Sequence, residues 1–389
     1  MYTVTIEREA LLNALKQLGN SVKTGTTCQN NEDCVSIQSN PVQTGLFLYT
    51  TDTMQFVQIE VPVVSIVGNT SVTCEVNYKR LRGIVEAIPE SITNVTIEIG
   101  NYDIKISYGN KPVVLNAATP AMYQFPMLLS TKSSAIIEFD QLNNAVKKAS
   151  TIIRPSESSP IFNCLRVHTD GGDIQFSAYD RTMNRIMYYP TQSNSGLTNA
   201  VGDFFIDVAA FKKIMGAITN HGSDVLLETD GQFISIQSNA SSDYSYISRL
   251  YNGTFPMNID QRMASFSPEL VPVSKERLLS SLYMAKVINS ASVDKAVNLH
   301  IYTNGDVTVK ANSTFGTLDE SFQVSQNPPS SDIEGLFMYE SLIGMLETYD
   351  NDFIRIGHPK PGSNFIYLAG EEGSQEDSMC YLAASLVTS

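Results

Sequence analysis

The chain has 389 residues, a formal net charge of −14 at pH 7 and five cysteines. This length allows two to four domains, each able to bury its own core. The acidity by itself disfavours a protein that binds nucleic acid, and the odd number of cysteines argues against a disulfide framework. The start has no basic patch followed by an apolar run, and no stretch approaches about 18 apolar residues, so we expect no signal peptide, no membrane span and a cytoplasmic location.

Two helix-like segments recur along the chain with one period. The first lies at 6–16 and returns at 137–147 and 275–282, whereas the second lies at 78–88 and returns at 209–218 and 339–349. Two independent landmarks that share a period of about 130 residues indicate tandem repeats. A Phe-Pro pair near the end of each of the first two repeats marks the joints. The sequence therefore predicts three domains, over 1–128, 129–259 and 260–389.

Short β-rich runs fill the spaces between these helices. They cover 44–61, 94–108, 173–189, 223–237 and 297–311. Strands outnumber helices, and the helices occur singly between groups of strands, which predicts an α+β fold. Asp52 and Asp180 follow strands at equivalent places, where we expect them to cap turns.

Positive charge is concentrated on the predicted helices. Six helix candidates (7–20, 77–88, 139–151, 208–219, 274–287 and 338–349) hold nearly half of the 26 Lys and Arg residues but fewer than a fifth of the 40 Asp and Glu residues. This distribution indicates one basic surface that faces a polyanion while the acidic remainder repels it. The alternative is that Lys and Arg are simply good helix formers on solvated faces, although Glu is an equally good helix former and is scarce there.

No pattern of catalytic residues accompanies this charge. The four histidines are isolated, no Cys-x2-Cys pair is present, and Cys28 and Cys34 are interpreted as loop thiols rather than as a metal site. The chain also lacks a Gly-x-Ser-x-Gly motif, a phosphate loop and a Gly-x-Gly-x-x-Gly motif. We therefore expect a protein that is not an enzyme and uses no cofactor or metal.

The order and spacing of these features resemble the bacterial-type DNA sliding clamp, the beta subunit of DNA polymerase III. The resemblance covers the whole chain and includes the threefold repeat, the Leu-x3-Leu/Val pattern of the first helices, the second helices around Leu81, Phe211 and Leu342, and the matching runs 51–54 and 179–183. It implies three tandem repeats of the DNA-clamp fold, with two helices per domain lining a ring and sheets outside.

The same resemblance implies function and partners. The ring would be a homodimer that encircles duplex DNA independently of sequence and acts as a processivity factor in DNA replication. It would bind the DNA polymerase and the clamp loader through short peptide motifs. The competing hypotheses are a β-rich structural or assembly protein without a DNA-tethering role, and an enzyme with an unrecognised site.

The clamp resemblance gives candidate residues for three surfaces. The DNA-binding candidates on helices are Lys16, Lys79, Arg80, Arg82, Lys147, Lys148, Lys212, Lys213, Lys275, Arg277 and Lys286, and those on loops after the first helices are Lys23 and Arg154. The dimer-interface candidates are Val113, Val114 and Leu115 on one side and Val287 and Ile288 on the other.

The third surface is a pocket for a partner peptide of the Gln-Leu-x-Leu-Phe type. Its candidates are Phe162, Tyr179, Arg181, Asn184, Pro256, Met338, Leu382, Ala384 and Leu386. The family usually reads Thr-Asp-Gly-His-Arg-Leu where this chain begins with Tyr179, so Arg181 replaces a glycine and Asn184 a leucine. The chain end also departs from the family pattern, and such divergence would fit a phage- or plasmid-encoded member.

Two interpretations of the pocket residues remain open. The last apolar side chains of 381–386 have no following segment to cover them, which predicts an exposed docking surface. The alternative is a core seam that binds no ligand.

Overall fold

The computed structural model describes residues 2–19, 21–23, 32–39, 45–52, 54–68, 72–100, 102–118, 133–153, 160–170, 173–181, 184–192, 202–218, 224–238, 244–251, 259–289, 295–359, 363–374 and 377–386. Its α-helices are α1 (Arg8–Leu18), α2 (Tyr78–Ala87), α3 (Phe139–Ile152), α4 (Val208–Ile218), α5 (Ile259–Ala264), α6 (Lys275–Ile288) and α7 (Tyr339–Leu346). The six helices expected from the repeat are confirmed. The short helix α5 is an addition that the sequence did not indicate.

Strands account for most of the remaining structure. They are β1 (Tyr2–Glu7), β2 (Cys34–Ser39), β3 (Gly45–Thr51), β4 (Gln55–Val67), β5 (Val72–Asn77), β6 (Asn94–Ile99), β7 (Asp103–Tyr108), β8 (Lys111–Asn116), β9 (Ser133–Glu138), β10 (Cys164–Asp170), β11 (Asp173–Asp180), β12 (Arg185–Gln192), β13 (Gly202–Asp207), β14 (Asp224–Thr229), β15 (Phe233–Ser238), β16 (Tyr244–Arg249), β17 (Val271–Ser274), β18 (Ala296–Ile301), β19 (Asp306–Ser313), β20 (Gly316–Gln323), β21 (Ile333–Met338), β22 (Phe353–Gly357), β23 (Phe365–Ala369) and β24 (Cys380–Ala384). The α+β prediction is confirmed.

A strand that leads directly into a helix occurs repeatedly along the chain. The pairs are β1–α1, β5–α2, β9–α3, β13–α4, β17–α6 and β21–α7. Two of these junctions are capped by a side chain, because Asn77 accepts a hydrogen bond from the Arg80 amide and Ser274 accepts one from the Arg277 amide. The apolar side chains of each helix then recur at helical spacing, as Leu11, Leu15 and Leu18 do in α1, so one face of the helix is buried.

Contacts divide the chain into two compact units. One unit comprises 1–140, 194–200 and 210–250, and the other comprises 141–193, 201–209 and 251–389. In the first unit a twelve-stranded sheet runs β8-β7-β6-β1-β4-β16-β15-β14-β9, with β2, β3 and β5 joined at its side. The second unit holds an eight-stranded sheet, β13-β10-β11-β12-β24-β23-β22-β17, and a four-stranded sheet, β20-β19-β18-β21.

The two large sheets explain why the contacts give two compact units and not three. Strand β4 pairs with β16, for example through Tyr244 opposite Ile59, so one sheet contains strands from the first and second predicted domains. Strand β12 pairs with β24 through Ile186 opposite Leu382, so the next sheet contains strands from the second and third predicted domains. Strand pairing therefore crosses the predicted boundaries, and the division into three domains stays a prediction.

Candidate nucleic-acid interface and partner site

The first two helices place three cations on the surface. Leu11, Leu12 and Leu15 bury one face of α1, which leaves Lys16 exposed on the other. Helix α2 buries Leu81 and exposes Lys79 and Arg80 at its start. These three side chains are available to a polyanion.

Two other candidates in this region are held by carboxylates. Arg82 donates from Nε to Glu86 at 2.8 Å, one turn later on α2. The Lys23 ammonium lies 2.7 Å from the carboxylate of Glu32, which is itself buried. Each would have to exchange an ion pair for a phosphate contact.

The adjacent lysines of α3 have opposite environments. Lys147 is exposed, whereas Lys148 is only 1 % exposed. The Lys148 Nζ donates to the carbonyl oxygen of Thr348 at 2.8 Å and lies 4.9 Å from the centre of the Tyr349 ring. The prediction that Lys148 contacts DNA is therefore wrong, because a side chain with no accessible ammonium cannot reach a phosphate.

The remaining helices contribute fewer accessible cations than expected. Lys212 on α4 is exposed, and so are Arg277 and Lys286 on α6. Lys275 is half-buried and donates to the carbonyl oxygen of Tyr349 at 2.7 Å. The side chain of Lys213 and all of Arg154 lie outside the described residues. Helix α7 carries no Lys or Arg. The exposed candidates on the helices are thus Lys16, Lys79, Arg80, Lys147, Lys212, Arg277 and Lys286.

Three of the predicted pocket residues meet in one apolar cluster. Tyr179, Ile186, Ile259 and Leu382 are buried together, and Phe162, Tyr188, Met263, Phe266, Phe365 and Tyr367 pack around them half-buried. We call these ten residues the aromatic cluster. The ring of Phe162 meets that of Tyr179 edge-on, with centroids 6.0 Å apart.

The structure places the other pocket candidates as follows. Ala384 is half-buried opposite Phe365 on the neighbouring strand, and Met338 is half-buried at the end of β21. Leu386 is half-buried, and its amide donates to the Leu336 carbonyl oxygen at 2.7 Å. Arg181 is exposed and Asn184 is half-buried. Pro256 lies outside the described residues.

The expectation that the chain end leaves uncovered apolar side chains is wrong for its central residue. Leu382 is 0 % exposed, because β24 lies between β12 and β23 and the aromatic cluster covers it. Sequence reasoning missed Met263 in α5 and Phe266 just after it, because this helix is too short to show periodicity. It also missed Phe365 and Tyr367, although their i, i+2 spacing is typical of one strand face.

The dimer-interface candidates lie on an outer strand, β8, and on helix α6 beside another outer strand, β20. Strand β8 is an outer strand of its sheet, with Val114 54 % exposed and Val113 and Leu115 half-buried. An apolar groove of about 470 Å³ lies along α6 and is lined by Ser280, Tyr283, Met284, Val287, Ile288 and Leu318. Leu318 belongs to β20, an outer strand of the small sheet, and Val287 is 75 % exposed.

The two repeated aspartates have different roles. Asp52 accepts hydrogen bonds from the amides of Met54 and Gln55 at 3.1 and 2.8 Å, as a turn cap does. Asp180 instead pairs with Arg185 at 2.6 Å, and both side chains are buried. The Arg185 guanidinium also donates to the Ile152 carbonyl oxygen and the Ser341 hydroxyl.

The chemistry of the described residues does not favour catalysis at thiols or metals. Burial raises the pKa of the Cys74 thiol to about 11 and that of Cys380 to about 12, so both stay protonated and poorly nucleophilic at neutral pH. Within the described ranges, no group of three or more His, Cys, Asp or Glu side chains is arranged to hold a metal. No helix in the described part of the chain is long and apolar enough to cross a membrane.

Comparison with known proteins identifies the fold. No model of a known protein family matches the chain, and no curated protein matches it either. Among solved structures, the chain is similar to the DNA polymerase beta subunit of Streptococcus pyogenes, with 18% identity and a TM-score of 0.86, over 100% of both chains. It is also similar to the DNA polymerase sliding clamp of Pseudomonas aeruginosa (15% identity, TM-score 0.84) and the DNA polymerase III beta subunit of Thermotoga maritima (14%, 0.83), again over 100% of both chains. The chain therefore has the DNA-clamp fold over its full length.

Proposed function

We propose that this protein is a DNA sliding clamp, a ring-shaped processivity factor that encircles duplex DNA and tethers the replicative polymerase. The observation that carries the proposal is the set of seven exposed cations on the helices of a chain with a net charge of −14, in a fold that matches sliding clamps end to end. The assembly-protein alternative is not favoured, because it predicts no concentration of positive charge on helices. The proposed role involves no catalytic step.

The distribution of the cations suits sliding better than recognition. Lys16, Lys147 and Lys212 come from three different helices, and α2 and α6 supply the other exposed candidates. Dispersed contacts to phosphate hold a duplex without reading its bases, so the protein can move along it. The acidic remainder disfavours binding of DNA elsewhere on the surface.

Ring closure would come from a second copy of this chain. The edge of β8 presents Val114, and the groove along α6 presents Val287, so each protomer carries two apolar patches, each at an outer strand. Charge would add to this contact, since β8 begins with Lys111 and β20 contains Glu320 and Asp319, of which Asp319 also pairs with Lys310 at 3.1 Å. Two different patches on each protomer make a head-to-tail contact, which closes into a ring when the rotation permits.

The further partners follow from the same proposal. The polymerase and the clamp loader would bind through short peptide motifs near the aromatic cluster, and the protein would act in the cytoplasm at the nucleoid. The position of the pocket residues Phe162, Tyr179 and Leu382 in one cluster supports a partner site there.

Removing helix cations should weaken DNA binding more than removing other surface cations. We expect Lys147→Gln with Lys212→Gln to weaken affinity for a linear duplex by about tenfold at low salt, and to reduce the slope of log affinity against log salt by about 0.9 for each phosphate that is no longer neutralised. Fluorescence anisotropy of a labelled duplex across a salt series gives both quantities.

The matched control changes net charge equally. Lys105→Gln with Lys295→Gln removes two cations that lie outside the helices and already pair with Glu98 and Glu340. The salt slope of this control should stay at the wild-type value. An equal loss of affinity in the two double variants would contradict the assignment of the DNA-binding surface to the helices.

A further inference from the structure

The aromatic cluster is filled by the chain's own side chains. Leu382 and Ile259 are 0 % exposed, Ile186 is 1 % exposed and Tyr179 is 8 % exposed. A ligand can contact the centre of this cluster only after one of the surrounding side chains moves. Tyr179 is the largest of the four central residues, so its position decides how much space the cluster offers.

The ring of Tyr179 is fixed by contacts on two sides. Phe162 packs edge-on against it at 61° between the ring planes, a favourable aromatic geometry. The Tyr179 hydroxyl donates to the Asn184 Oδ1 at 3.4 Å. Asn184 has φ of 47°, a left-handed conformation that asparagine tolerates better than most residues, and this conformation places its amide near the hydroxyl. The packing of Phe162 against the ring therefore holds Tyr179 in the inward position, and the hydrogen bond to Asn184, long at 3.4 Å, is a secondary contact.

Neighbouring aromatic residues complete the enclosure. Tyr367 lies opposite Leu382 on the adjacent strand β23, and burial raises the pKa of its hydroxyl. The guanidinium of Arg262, on α5, lies 4.5 Å from the centre of the Phe365 ring. Helix α5 is itself held by Asp260, whose carboxylate binds Arg166 at 2.6 Å. The residues around the cluster are thus held in place by their own contacts, and the ring of Tyr179 fills the space between them.

We propose that Tyr179 determines which partner peptides this protein accepts, because its ring occupies the volume that a bulky apolar anchor would need. The wild-type protein then excludes a peptide of the Gln-Leu-x-Leu-Phe type, whose leucine and phenylalanine must both be buried. The proposal rests on the proposed clamp function, in which partners dock at this cluster. A smaller residue at position 179 opens the volume without changing the exposed Arg181 at its rim.

The test is the affinity of a labelled Gln-Leu-Ala-Leu-Phe peptide for the full-length protein. We expect Tyr179→Thr to bind this peptide at least about tenfold more tightly than the wild type. Tyr179→Phe is the matched control, since it keeps the ring and removes only the hydroxyl, and it should resemble the wild type. Phe162→Leu is a second variant that makes space in the cluster, which we call an opening variant together with Tyr179→Thr. It should also bind the peptide more tightly than the wild type, and it replaces Tyr179→Thr in the test if that variant does not fold.

Each outcome of the titration decides the proposal. Equal affinity of the wild type and a folded opening variant would overturn it, because Tyr179 would not limit access. Failure of both folded opening variants to bind would also overturn it, because emptying the volume would not have created a site. The DNA-binding series with the wild type is independent of this peptide, so a failure here leaves the proposed tethering of DNA untouched.

Discussion

Val287→Glu is expected to dissociate the proposed dimer into monomers. Val287 is 75 % exposed on α6 and lines the apolar groove together with Met284, Ile288 and Leu318. If a second copy fills this groove, a glutamate at 287 becomes a buried, unpaired charge. We expect the dimer dissociation constant to rise by at least about 100-fold. Analytical ultracentrifugation should then show a particle near the chain mass of 42.8 kDa at concentrations where the wild type is twice that size.

A valine of similar exposure on another surface provides the control. Val67 at the end of β4 is 68 % exposed, so Val67→Glu adds the same charge with a similar loss of apolar surface. This variant should remain dimeric. A wild-type protein that is monomeric at micromolar concentration, or a Val287→Glu variant that dimerises as well as Val67→Glu, would contradict the proposed interface.

Arg185→Met should lower the free energy of unfolding by about 3 to 5 kcal/mol. The guanidinium of Arg185 lies 2.6 Å from the Asp180 carboxylate, and the side chains of the two residues are 5 % and 3 % exposed. It also donates to the Ile152 carbonyl oxygen at the C-terminal end of α3. Removing the arginine leaves a buried carboxylate without its cation and a helix-terminal carbonyl without this donor. Denaturant unfolding measures the loss.

Two further variants test whether the buried Arg185–Asp180 pair contributes more to stability than an ion pair on the surface does. Lys105→Met breaks the pair with Glu98 on the surface of the first unit, and it should cost less than about 1 kcal/mol. The double variant Asp180→Leu with Arg185→Met should recover part of the stability lost by Arg185→Met alone, because no charge is then left buried. If Arg185→Met is no more destabilising than Lys105→Met, the buried pair does not support the fold.

The helices could be predicted because their signal is local. Leucines at helical spacing in 6–16 recur with one period, and apolar spacing within a single segment is enough to identify an amphipathic helix. The pairing of β4 with β16 and of β12 with β24 could not be predicted in the same way. Such pairings join residues far apart in sequence, and only the register and the buried faces of the assembled sheet select them.

The different environments of Lys147 and Lys148 show a second limit on what could be predicted from the sequence. Residues 147 and 148 are separated by about 100° around α3, so one of them can lie at the buried face while the other faces solvent. The buried residues Ala145 and Ile152 lie three before and four after Lys148, which places Lys148 at the edge of the apolar face. This spacing was a usable signal for burial. What the sequence could not supply was the acceptor, the carbonyl oxygen of Thr348 from a distant helix end.

The resemblance to sliding clamps grouped Phe162, Tyr179 and Leu382, and these three side chains do lie in one apolar cluster. That partners bind there stays a prediction, and the shape of the cluster could not be predicted. The resemblance gave no indication that Phe365, Tyr367 and residues near α5 would fill the space between them. Whether a pocket is open depends on the volumes of side chains from several distant segments, and these volumes can be judged only after the chain has folded.

Topological tethering is decided by the lifetime of the protein on DNA before and after the DNA is cut. The protein is allowed to thread onto a linear duplex with biotinylated ends, the ends are then blocked with streptavidin, and the salt concentration is raised to suppress electrostatic binding. A ring that encircles the duplex should remain bound under these conditions and leave rapidly when a restriction enzyme cuts between the blocks. A lifetime that is short before the cut, or that the cut does not change, would contradict topological tethering and with it the proposed function.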